Sequence, residues 1–367
     1  MTNKERLLNA IAGKEVDRTP WAPFLIYWWE SQPREARDKG ELAMYRTVGA
    51  DPLIRGHYPT HKADDPYRDL FLVDTVFRNC EITESVCGRE KIKRYETRVG
   101  TMECKYKIDP SSNTWFLVEH PLKTCEDYKT LQFIMENAEL TPAYEGFEGL
   151  VQEYGDELLI APRLVPGYKT AFQSMIEHWV GTYGMIDMLD EEPELVEATM
   201  DAIQEVNRKS ARICSESNAE VFVSFEDSST TNYSPAMYEA YALPELNEWC
   251  DILHKENKLL IQHACGHIKA LLPIIAKSKI DCLESVTPLP TGNVTMAEVA
   301  AALPERISII GGIDPIMMLS NDWEPLEQYA RELLQTMQGR SFILSNSDSL
   351  PPGVKQEYLQ NLSKLVR

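Results

Sequence analysis

The chain has 367 residues, of which 43% are hydrophobic and 26% charged, and 57 acidic side chains against 37 basic ones give a formal net charge of −20. That length and apolar fraction suffice for one large barrel or two average domains with a substantial core. The acidic excess argues against nucleic acid and anionic membrane surfaces as partners, and against a polyanionic substrate unless a local basic pocket opposes it.

Residues 2–13 read as an amphipathic helix carrying Leu7, Leu8 and Ile11 and closed by Gly13. Met1–Ala10 lacks the apolar core of a signal peptide, and no run approaches the roughly 20 apolar residues of a bilayer span, so a cytoplasmic location is expected. Arg18–Trp29 reads as a strand leaving a turn, and 49–55 as a weaker strand. Within the segment 80–120, Arg94–Lys107 alternates polar and apolar residues around Val99-Gly100 and Thr114–Glu119 follows, which predicts an antiparallel hairpin inserted in an early loop as a lid. Further apolar runs follow at Leu158–Arg163, Glu220–Glu226, Lys258–Cys265, Ile280–Val286, Ile307–Gly312 and Ser341–Ser345. Helical patterns lie between them at 191–216, 236–256, 268–278, 296–303 and 324–338. Strands that alternate with helices and are apolar along their whole length predict a parallel sheet buried on both faces. About eight such units predict a (β/α)₈ TIM barrel, one α/β domain over 1–367 with the hairpin insertion at about 80–120.

Eight cysteines (80, 87, 104, 125, 214, 250, 265 and 282) are scattered without C-x-x-C pairs, which fits reduced thiols better than a disulfide framework. Cys265 stands apart by context. Side chains two apart on a strand share a face, so His263 and Cys265 would present an imidazole and a thiolate together, a pair suited to Zn²⁺. Barrel chemistry sits at the C-terminal strand ends, where this chain carries Glu226-Asp227, His263-x-Cys265, Glu284, Asp314 and Asp348. If the last strand extends far enough, Leu344, Asn346 and Asp348 share a face. Glu226, His263, Cys265 and Asp348 could then converge as four ligands, or as three with one place left for substrate. Asp227 either does chemistry beside Glu226 or bonds nearby backbone, and Glu284 and Asp314 either meet substrate or are structural. His267 reads as the start of a helix, and His57, His61, His120, His178 and His254 lack ligand spacing.

Several segments together resemble the uroporphyrinogen decarboxylase superfamily. They are Asn3–Pro20, His120–Tyr128, Ser224–Ser229, Ile261–His267, Gly311–Pro315 and Phe342–Pro352, which cover almost the whole chain. The resemblance is greatest to the corrinoid-dependent methyltransferase branch. Decarboxylases of this superfamily carry an arginine-containing stretch after the first strand, where this chain has the neutral, aromatic Phe24–Trp29. Thiol-methylating members place a second Cys after the last strand, where this chain has Asp348. A carboxylate in place of a thiolate leaves zinc a stronger Lewis acid that favours oxygen, as a methyl ether requires. The resemblance therefore implies zinc-dependent O-demethylation, with methyl passing from a methoxylated aromatic compound to the cobalt of a separate corrinoid protein. No D-x-H-x-x-G cobalamin motif occurs in the chain, so the corrinoid would arrive on its partner. Tyr27, Trp28 and Trp29 would wall the aromatic substrate unless they are core packing, and Arg163 would pair with a substrate carboxylate unless it is structural. Methyl transfer from a methylcorrinoid to a thiol or reduced pterin is the alternative, followed by decarboxylation of another small acid. Homodimer formation is left open.

Overall fold

The computed structural model describes residues 1–57, 59, 69–109 and 114–367, which leaves His61 outside the described residues. Its strands are β1 (Leu53–Arg55), β2 (Val73–Phe77), β3 (Cys80–Cys87), β4 (Glu90–Thr97), β5 (Thr101–Asp109), β6 (Thr114–Glu119) and β7 (Ala138–Pro142). They continue with β8 (Leu159–Ala161), β9 (Val221–Phe225), β10 (Leu259–His263), β11 (Cys282–Val286), β12 (Ser308–Ile313) and β13 (Phe342–Asn346).

Strands β9 to β13 form a five-stranded parallel sheet in sequential order, and β1 pairs with β8 in a second parallel sheet. Helices separate the strands of the larger sheet, so the architecture is a TIM-barrel-like α/β fold. The expected barrel is not one continuous ladder. Isolated parallel bridges join Trp21 to Leu344 and Arg163 to Val223, and the Asp51 N–H donates to the Trp21 carbonyl. The expected strand 18–29 is reduced to that single bridge, because Pro20 and Pro23 supply no N–H groups. Its second half becomes the short helix Ile26–Glu30 instead. A short apolar run does not distinguish strand from helix by periodicity.

An inner apolar cluster shows which face of each strand turns inward. Leu53, Ala161, Val221, Val223, Ile261, Cys282, Ile310 and Ile343 meet there, capped by Leu7, Ala10 and Ile11 of the first helix, Asn3–Ile11. That helix starts on a capping box between Thr2 and Glu5, and its buried residues recur at helical spacing. The next inward positions toward the C-terminal ends are Arg55, Phe225, His263 and Glu284. A dry lower layer thus passes into a polar upper one.

Among the helices, Pro193–Ser215, Met296–Ala302 and Trp323–Thr336 match the expected 191–216, 296–303 and 324–338. The expected 268–278 contracts to Leu272–Ile275, with Pro273 in its first turn. His267 does not begin a helix, and its N–H donates to Ser229 Oγ at 3.1 Å. Over residues 80–119 the chain forms a four-stranded antiparallel sheet in the order β3-β4-β5-β6 rather than one hairpin. Its central pair, β4 and β5, turns around Val99-Gly100. Among the described residues no helix is long and apolar enough to cross a membrane.

Candidate metal centre

His263 closes β10 and is buried, two residues above the apolar Ile261 on the same inward face. Its Nδ1 lies 3.0 Å from Glu284 Oε2, and Glu284 is ion-paired in turn with the buried Arg55. With Nδ1 engaged, Nε2 faces outward toward Asp227 Oδ1 at 3.6 Å. Cys265 Sγ lies 3.3 Å from the same oxygen. Gly266 follows with φ +134°, and a Cβ there would come within 2.9 Å of Ser229. Glycine therefore lets the chain turn away at once after the thiol.

Asp227 and Glu226 take opposite sides. Because Val221, Val223 and Phe225 face inward on β9, Ser224 and Glu226 face away from the interior. Glu226 accepts from the Thr170 N–H at 2.7 Å, Thr170 Oγ1 at 2.8 Å and Ser224 Oγ at 2.6 Å. It is therefore not in the donor cluster, contrary to the ligand role expected for it. Asp227, in a left-handed backbone conformation (φ +44°), supplies the carboxylate instead. Its Oδ2 accepts from the buried Lys169 at 2.8 Å, and Lys169 also pairs with Glu177.

Asp227, His263 and Cys265 place one donor atom each within 4.8 Å of one another. Zinc bonds of about 2.0 Å to N or O and 2.3 Å to S imply tetrahedral edges of roughly 3.3–3.5 Å, close to the separations found here. One nitrogen, one sulfur and one oxygen, with the histidine oriented by a carboxylate, fit Zn²⁺.

The site's electrostatics follow from burial and partners. Burial pushes the Cys265 thiol up to about 11, opposed by its hydrogen bond to His263. Burial disfavours a charged His263, but Cys265 and Glu284 outweigh it and hold the imidazole well above its usual range. Burial would raise Asp227, yet Lys169 and His263 keep it below the ordinary carboxylate range. Asp348 is raised by its burial.

A cavity of about 230 Å³ opens over these groups, lined also by Phe24, Phe225, Arg163 and Asp348. Asp348 reaches it from the loop after β13, not by the expected strand parity. Leu344 packs in the outer core, and Asn346 turns away to bond both the N–H and the carbonyl of Phe24 at 3.0 Å. Asp348 Oδ1 accepts the Ser349 N–H at 2.6 Å. Arg163 pairs with Asp69 and lies 4.1 Å from the Tyr168 ring centre.

The expected aromatic wall is elsewhere. Trp28 and Trp29 are buried in the core, Trp28 donating to the Val354 carbonyl at 2.8 Å, because helix formation turns both away from the mouth. Tyr27 is exposed. Phe24 and Phe225 stand beside His263 instead, with ring centres at 6.4 and 5.1 Å. Asp314 accepts from the Thr291 and Ile316 N–H groups and closes a turn, so it serves the loop and not the cavity. Arg55 and Lys169 were not singled out in the sequence. Arg55 follows two apolar residues at a strand end, a legible signal, whereas Lys169 has none.

Glu226 gives a pH-dependent test. Burial raises it from 4.5 to about 7, ahead of the opposing bonds from Ser224 and Thr170. Its contribution to stability is full below pH 4.5 and is lost as pH rises through 7, about 3 kcal/mol in all. Glu226→Gln should remove that decline. Urea unfolding is expected to show the variant gaining on the parent between pH 5 and 8, and a constant difference would contradict the assignment.

The uroporphyrinogen decarboxylase (URO-D) family matches over residues 99–367. The chain is 27% identical over 175 residues to uroporphyrinogen decarboxylase from Synechococcus sp. (strain CC9605), covering 46% of this chain and 47% of that protein. It is 24% identical over 363 residues to the Prochlorococcus marinus (strain MIT 9211) enzyme of that name, covering 96% and 93%. A B12-independent methionine synthase from Shewanella sp. W3-18-1, solved with selenomethionine, aligns over 95% of this chain and 97% of its own at 10% identity and a TM-score of 0.49. A likeness that distant carries no functional weight.

Proposed function

We propose, on the premise that this chain belongs to the uroporphyrinogen decarboxylase family, that it is a zinc-dependent methyltransferase demethylating a methoxylated aromatic compound. The methyl acceptor is the cobalt of a separate corrinoid protein. One observation carries the reading: a nitrogen, a sulfur and an oxygen donor converge beneath a small cavity flanked by two phenylalanine rings.

Zn²⁺ held by His263, Cys265 and Asp227 would supply Lewis acidity toward an ether oxygen. A corrinoid carried by the partner would supply the cobalt(I) electron pair that takes the methyl carbon, leaving the pair of the broken methyl–oxygen bond on the aryl oxygen. Asp348 stands at the same cavity as a fourth ligand or a proton carrier for the departing oxygen. Phe24 and Phe225 would orient the ring and exclude water, and Arg163 would meet a ring carboxylate only by exchanging Asp69 for it. The reading takes the fold as a closed eight-unit barrel in one domain, with the antiparallel sheet shaping the approach of the corrinoid protein.

A polyanionic macrocycle fits this cavity poorly. Its two arginines are already paired, Arg55 with Glu284 and Arg163 with Asp69, while Asp227 and Asp348 add negative charge. Decarboxylation of a small acid is a second reading, favoured by Arg163 within the cavity. The test combines metal analysis with an assay of methoxyarenes and reduced corrinoid protein. Bound zinc near one per chain, a phenolic product and methylated cobalt are expected. Carbon dioxide release from a small acid without methyl transfer would establish the second reading instead.

A further inference from the structure

A second and larger cavity, about 940 Å³, lies between the antiparallel sheet, β2 and the helix Pro193–Ser215, and it shares Asp69 with the metal-side cavity. The metal-side space of about 230 Å³ is below the roughly 300–1,000 Å³ of ordinary small-molecule sites, whereas this one lies at their upper end. Aromatic rings stand on both walls. Tyr95 and Tyr106 project from β4 and β5, and Tyr95 lies 5.9 Å from Trp179 between ring centres. Near Asp69, Phe71 and Tyr168 stack at 5.7 Å with planes 21° apart. Arg163 sits against both rings, so its pair with Asp69 forms the partition between the two spaces.

The charges around the larger cavity select against an anion. Among the described residues, Asp69, Asp74 and Glu145 line it against one cation, Lys93. Lys93 Nζ is 3.7 Å from Glu84, and burial followed by the nearby Lys169 keeps His178 neutral, down at about 4. Two buried wall atoms, Thr75 Oγ1 and His178 Nε2, have no hydrogen-bond partner among the described residues. They suit a hydroxyl or ether oxygen on an otherwise apolar molecule.

We infer that this cavity is a binding site for an uncharged, planar aromatic molecule larger than one ring, bound against Tyr106 of the sheet and the Phe71–Tyr168 stack, with the Tyr95–Trp179 contact closing the far end. The binding does not rest on the proposed function.

Equilibrium dialysis with 2-methoxynaphthalene tests the site, with 6-methoxy-2-naphthoate as the anionic counterpart. One saturable site is expected for the neutral probe, and at least about tenfold weaker binding of the naphthoate. Ala143→Trp fills the cavity from its rim and should weaken the neutral probe about tenfold or more. Tyr106→Leu removes a wall ring and should act in the same direction if the tryptophan variant fails to fold. Cys265→Ala should bind the probe like the parent. No binding, equal affinity for both probes, or parental affinity in both cavity variants would overturn the site. Normal binding with no turnover of any methoxyarene would leave the site standing and remove the methyltransferase reading.

Discussion

Cys265→Ala is expected to lose zinc and with it methyl transfer, by more than the roughly 10–100-fold that losing an outer-shell partner costs. The variant removes the sulfur donor and leaves His263 and Asp227, an N/O pair with much weaker preference for zinc. Cys265 is only half-buried at the cavity, so folding should change little. The proton balance gives a second readout. Without metal the Cys265 thiol, pushed up to about 11, is protonated at neutral pH, and His263 holds its proton well above the ordinary range. Ligation displaces both, so zinc affinity should rise with pH, up to about tenfold per unit for each proton released. In Cys265→Ala one of those protons is gone and the slope should fall by about one. Zinc titration at pH 6, 7 and 8 measures it. Parental affinity and slope in the variant would show that the sulfur does not touch the metal.

Much of this centre can be read from the chain, and the misses have physical causes. His263-x-Cys265 is legible because strand parity puts both donors on one face, although buried His and free Cys are also ordinary core residues and the acidic strand ends are needed to point to a metal. The sequence favours Glu226 over Asp227 as ligand because β9 is buried on both faces, which hides the alternation that separates them. The inner cluster restores it: Val221 and Val223 face inward, so the inward sequence continues through Phe225 to Asp227. Trp28 and Trp29 misled because an apolar run suits a buried helix as well as a strand, and two prolines tipped the balance. The alternation at 94–107 correctly marked antiparallel pairing but not the number of strands joining it. Lys169 could not be found at all. It reaches Asp227 from a loop after β8, a meeting set by tertiary folding alone.

Removing the Arg55 guanidinium should have the largest effect on stability. Arg55, Glu284 and His263 form a buried chain in which each charge depends on its neighbour. Burial would raise Glu284, but Arg55 and then His263 hold it below the usual carboxylate range. In Arg55→Met the carboxylate stays buried without its strongest partner, a change that costs about 3–5 kcal/mol in comparable pairs. The double variant Arg55→Met/Glu284→Leu removes both charges and should recover most of that loss, since apolar replacements of buried ion pairs are often neutral or better. Metal affinity should not recover with it. Leucine cannot accept from Nδ1, so His263 loses the contact that fixes its ring and aims Nε2, a loss of about 10–100-fold in affinity. Denaturant unfolding and zinc titration on the parent and both variants separate the two roles. A double variant that regains stability and zinc affinity together would reduce the chain to core packing. Recovered folding with weakened zinc would establish Glu284 as the residue that positions His263.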